Sequence, residues 1–174
     1  EFIKDNPKVV AIGEVGFDYK SRLSFLRQGD IFKEFIKLSL EFNLPLMLHN
    51  RWHDYAIFDI LDDYLPDYRN VIFHCFSEDV RFLERILAKN GNASFSLNVL
   101  RKKKKIDDAL KEIPLDNLLL ETDSPYMRVY GEYSTPLDVE KVYNYVARAK
   151  NISLDEIENA VYSNAKRILP FKRE

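Results

Sequence analysis

Four side chains able to hold a metal ion, Glu14, His49, His74 and Asp123, each stand at or just before the polar end of a short apolar run: VVAIGEVGFDY, LPLMLHNR, NVIFHCFS and NLLLETDSP. Strand ends in a parallel α/β sheet converge on one face, so the repeated placement predicts a single site built from all four. Glu14 lies between Gly13 and Gly16, which would let backbone and ligand approach closely, and Asp18 follows four residues on. A carboxylate there suits a divalent cation. His49 and His74 offer imidazole, the commonest metal ligand and also a general base, although a histidine satisfied by a backbone carbonyl is about as common. Asp123 sits at a loop mouth before Ser124-Pro125, placed to ligate a metal or to act as base on its water. Glu121, two residues back, should share its strand face and reads as a supporting partner rather than a ligand. Taken singly, each residue has a plain structural reading; four together favour a metal site.

Other chemistries find no support. The chain has no phosphate-binding glycine loop, no dinucleotide fingerprint and no G-x-S-x-G elbow. Cys75 adjoins His74, but no second cysteine completes a Cys-rich zinc set, so it reads as a small buried hydrophobe. His53, beside Trp52, reads as a helix-start residue.

The elements that must position these groups follow from periodicity. Apolar runs of strand length alternate with helical spacing at Phe32, Phe35, Ile36 and Leu40; at Ile57, Ile60, Leu61, Tyr64 and Leu65; at Phe82, Leu83, Ile86 and Leu87; and at Ile106, Ala109, Leu110 and Ile113. Asn90-Gly91-Asn92 is a turn, and ASFSLNV after it reads as a strand. Thr135-Pro136 with Asp138, and Ser153 with Glu156, mark two final helices over about 138–150 and 154–168. Strand–helix alternation through five strands predicts a parallel α/β sheet of (β/α) barrel type, in one domain over 1–174.

The 174 residues are 46% hydrophobic and 13% aromatic, enough for a sizeable core. Charged residues make up 31% but the net charge is only −2, which excludes a global basic field for nucleic acid. Any polyanion must be held locally. The one cationic run, Arg101 to Lys105, reads first as a solvated face and second as a phosphate grip near the strand ends. No apolar stretch approaches the roughly 20 residues of a membrane span. One cysteine and the absence of a signal-like start predict a cytoplasmic protein in a reducing compartment, and the opening EFIKDNPK reads as the tail of a helix and a turn.

The ordered set AIGEVGFDY, LPLMLHNR, IFHCFS and LLLETDSPYM resembles the TatD-type metal-dependent deoxyribonucleases, of the amidohydrolase-like superfamily of TIM barrels. Gln28, SFSLNV and Asn164-Ala165 support the likeness, which runs from about Val9 to about Leu169. It implies a pair of divalent metal ions (Mg, Mn or Zn), ligands Glu14, His49, His74 and Asp123 with Glu14 bridging the pair, and hydrolysis of phosphodiesters in DNA, often as a 3′-to-5′ exonuclease. Glu14 and Asp123 would be catalytic, Asp123 orienting or deprotonating water. Arg51 would hold a phosphate oxygen or support a ligand. The family opens with a His-x-His strand and two further strand–helix units that are not in this sequence. The expectation is a partial barrel of five strands keeping at best one metal site, a fragment whose remaining segment is supplied elsewhere or whose open edges self-associate. Two alternatives stand beside the nuclease reading: a superfamily hydrolase of esters, lactones or amides, and a non-catalytic interaction module.

Overall fold

The computed structural model describes residues 2–51, 55–129 and 131–170. After a short helix α1 (Phe2–Asp5), the chain alternates strand and helix: β1 (Ile12–Asp18), α2 (Phe25–Phe42), β2 (Leu46–Arg51), α3 (Ala56–Tyr64), β3 (Val71–Phe73), α4 (Val80–Leu87) and β4 (Asn92–Phe95). A 3-10 turn (Leu97–Arg101), α5 (Lys104–Glu112), β5 (Leu118–Leu120), a two-stranded ribbon of β6 (Arg128–Val129) and β7 (Glu132–Tyr133), α6 (Val139–Lys150) and α7 (Leu154–Ile168) complete it. The five long strands form one parallel sheet in the order β1-β2-β3-β4-β5. This is the predicted α/β architecture, five sequential strands of a barrel with helices outside.

Side chains alternate across the pleat, and the alternation assigns each face. Val15, Phe17, Leu46, Leu48, Val71, Phe73, Ala93, Phe95 and Leu118 point into the main core. Ile72 and Leu119 point the other way and pack with Ile168 of α7, with Met47 against them. Glu14, His49, His74 and Glu121 have the parity of this second, inner face. The strands end at that face's polar rim, so sequence parity alone sends the candidate ligands to one place.

Local signals explain the helix ends. Ser24, Asp79 and Ser153 each accept a backbone N–H from the first turn of α2, α4 and α7, at 3.3, 3.0 and 3.2 Å. Thr135 N–H donates to Asp138 Oδ2 at 2.7 Å ahead of α6.

Three expectations change. The run ASFSLNV is strand only to Phe95; Ser96 Oγ then accepts the Asn98 N–H at 3.3 Å and starts the 3-10 turn. The short ribbon of β6 and β7 was not foreseen. Third, the close approach expected at Gly13 and Gly16 is made by the backbone of the neighbouring strand: at φ 146° and 145°, a Cβ on Gly13 would meet the Met47 carbonyl and one on Gly16 the His49 carbonyl. Trp52 and His53 lie outside the described residues.

Candidate metal centre

β1, β2 and β3 lie side by side, with Gly16 opposite His49 and Leu48 opposite Phe73 in the ladders. That register delivers Glu14, His49 and His74 to a common point: one ligand atom from each lies within 4.8 Å of the other two. His49 Nδ1 is 2.7 Å from Glu14 Oε1 and 3.1 Å from His74 Nε2, and His74 Nε2 also contacts Glu14 Oε1. Two ring nitrogens and a carboxylate oxygen facing one another need a proton or a cation among them. Zinc–nitrogen bonds of about 2.0–2.1 Å place two nitrogens about 3.3 Å apart on a tetrahedral ion, close to the His49–His74 separation. The donor set therefore fits a borderline divalent cation.

The electrostatics agree. Hydrogen bonds from His49 and then His74 hold the Glu14 carboxyl well below its usual range, so it stays ionised. Burial pushes His74 down, but Glu121 and Glu14 more than offset it, and its pKa rises to about 10. The two carboxylates, Glu14 at Nε2 and Glu121 on the Nδ1 side, thus favour the protonated ring of His74 where no cation is bound. A cation would take that proton's place, and binding should release it.

Behind the rings stand two more acids. Asp18 Oδ2 lies 3.1 Å from His49 Nε2 and 3.2 Å from Arg51 Nη1. Glu121 Oε1 accepts the Cys75 N–H and the Ser94 hydroxyl, both at 2.5 Å, and lies 3.6 Å from His74 Nδ1. These partners outweigh Glu121's burial and lower its pKa. The sequence reading of Glu121 as a supporting partner agrees with this placement.

Asp123, expected as the fourth ligand, lines the same cleft but is not one of the three converging groups. Its backbone is left-handed, φ 55°, and its Oδ2 lies 3.6 Å from Cys75 Sγ. Burial raises its pKa. Cys75 is corrected: it is half-buried among polar atoms, with Sγ 3.1 Å from Ser96 Oγ, and burial pushes its thiol pKa up, keeping it protonated. The cleft measures about 940 Å³. Arg51, Arg101, Lys103 and Lys105 line it, so three of the five residues of the cationic run face the site. Lys104 instead pairs with Asp108, Nζ to Oδ2 at 2.6 Å, as a solvated residue would.

A family profile described as TatD related DNase matches residues 1–170. The chain belongs to this family. A metal-dependent hydrolase of Methanocaldococcus jannaschii, itself uncharacterised, is 32% identical over 98% of this chain and 66% of its own length. A 3′-5′ ssDNA/RNA exonuclease TatD of Pantoea vagans is 30% identical over 94% of this chain and 67% of its own. The crystal structure of YjjV, a TatD homologue of Escherichia coli K12, superposes with a TM-score of 0.86 at 29% identity, covering 95% of this chain and 66% of that one. The chain thus spans just under two thirds of the first TatD relatives it matches. No helix among the described residues is long and apolar enough to cross a membrane.

Proposed function

We propose that the protein is a divalent-metal-dependent nuclease that hydrolyses phosphodiester bonds of DNA from the 3′ end. The observation that carries this reading is the convergence of Glu14, His49 and His74, from three adjacent strands, within 4.8 Å. The cleft beside it has a cationic wall, which favours a phosphodiester over a neutral lactone or ester. The exonuclease name of the Pantoea vagans relative points the same way.

Glu14, His49 and His74 would hold the cation, whether Mg, Mn or Zn, and Asp123 would complete the set. A divalent cation there supplies charge that lowers the pKa of water and offsets the charge developing on phosphate. Both histidines reach Oε1 of Glu14, so the three side chains would hold the cation together. Asp123, whose carboxyl is raised by burial, accepts the proton of the attacking water. Lys103, Lys105 and Arg101 hold substrate phosphates in the cleft. Arg51 is within ion-pair reach of Asp18 and acts on phosphate only from its exposed side.

In the full-length protein Asp123→Asn is expected to lower DNA cleavage at least about 10²-fold, the range for losing a proton acceptor, with the circular dichroism spectrum unchanged. Retained cleavage removes Asp123 from this role. Single-stranded DNA labelled at its 5′ end should shorten from the other end. Turnover of a lactone or ester panel with DNA left intact would replace the nuclease reading.

A further inference from the structure

We infer that Asp18 is the positioning residue of the metal centre: it holds His49 in the one tautomer and ring orientation that aims Nδ1 at the cation. The inference rests on the metal-centre reading above. A histidine ligand can present either nitrogen, and the hydrogen bond made by the other one decides which. Here Nδ1 of His49 faces Glu14 Oε1 and His74 Nε2, at 2.7 and 3.1 Å, while Nε2 faces Asp18 Oδ2 at 3.1 Å. An ionised carboxylate accepts and cannot donate, so it selects the form with the proton on Nε2 and the lone pair on Nδ1.

Asp18 is itself held from three sides. Its Oδ1 accepts the Lys20 N–H at 2.8 Å and its Oδ2 takes Arg51 Nη1 at 3.2 Å. Its backbone N–H donates to Oε1 of Gln28 at 2.8 Å, and Gln28 Nε2 returns a bond to the Asp18 carbonyl at 3.3 Å. Gln28 is buried near the start of α2 and also donates to the Leu23 carbonyl at 3.0 Å. The route therefore runs from a helix, through a buried amide, to the strand end and the imidazole. Arg51 belongs to this support, which explains an arginine two residues beyond His49, where it shares that histidine's strand face.

The test is zinc binding by the full-length protein, measured against a competing chelator. Asp18→Ala is expected to weaken zinc about 10- to 100-fold, the usual effect of removing a ligand's outer partner. Asp18→Asn keeps an acceptor oxygen and should recover most of that loss, which a merely structural role would not do. In long-range proton–nitrogen spectra of the zinc-loaded protein, His49 should carry its proton on Nε2, and that signal should broaden by exchange with water in Asp18→Ala. Equal zinc affinity in folded Asp18→Ala, or a His49 proton on Nδ1, would overturn the inference alone. Wild-type protein that binds no zinc, manganese or magnesium would overturn the metal centre and the inference with it.

Discussion

At the scale of single residues, polar groups placed among apolar ones are the most informative, because each must be satisfied by a definite partner. Tyr68 is almost fully buried and donates its hydroxyl to Asp62 Oδ1 at 2.6 Å. That bond is the chief cause of Asp62's lowered pKa, with Lys89 and Arg85 adding to it, against an ordinary value of 3.8. A carboxyl whose folded pKa is depressed stabilises the fold above its unfolded pKa and loses that contribution as pH falls through the folded value. Tyr68→Phe should therefore destabilise by about 1–2 kcal/mol near pH 7, the low side of a charged hydrogen bond because Asp62 is partly exposed. Urea unfolding below pH 3.8 should show the difference shrinking; a constant difference would mean that the hydroxyl acts through packing. Glu121 makes the stronger case. Glu121→Leu removes the acceptor of the Ser94 hydroxyl and leaves the Cys75 N–H only Ser94 Oγ at 3.2 Å, and should cost about 1–3 kcal/mol in the same measurement. The convergence of Glu14, His49 and His74 was legible in the sequence because each interrupts an apolar run at its end. The tie from Gln28 through Asp18 to His49 was not, since it depends on the register between β1 and β2 and on where α2 begins.

Elements were legible where one physical signal dominated. Helical spacing and capping residues located α6 and α7 closely, because Thr135, Asp138 and Ser153 announce their starts. ASFSLNV misled because its apolar alternation persists after the hydrogen-bonded ladder has stopped; Ser96 and Asn98 spend their polar groups on a tight turn and on the Phe76 carbonyl instead. The glycines of β1 suggest close approach by backbone and ligand alike, and the backbone that approaches is that of β2. Gly16 has φ 145° and faces the His49 carbonyl, so Gly16→Ala combines backbone strain with an overlap against the strand that carries a ligand. The expected outcome is a loss of about 2–4 kcal/mol in unfolding free energy together with weakened metal binding. Gly131, at φ 95° with open space around it, is the control: its alanine variant meets the strain without the overlap and should leave metal affinity unchanged.

At the scale of the whole molecule, a net charge of −2 and a nucleic-acid substrate are compatible only if cations are concentrated where the phosphates lie. Arg101, Lys103 and Lys105 line the cleft, Lys105 with its Nζ 3.7 Å from Glu78 Oε2, whereas Lys104 is turned to Asp108. The 3-10 turn and the first turn of α5 produce this division, since they rotate successive residues of one basic run to different sides. Each phosphate contact to a single strand steepens the dependence of log K on log salt by about 0.7. Replacing Arg101, Lys103 and Lys105 together by alanine in the full-length protein should therefore flatten that slope by about 2, with zinc affinity unchanged, while Lys104→Ala alone should leave both as they are. Fluorescence anisotropy of labelled single-stranded DNA across a salt series measures it. An unaltered slope in the triple variant would return the cationic run to the role of a solvated face.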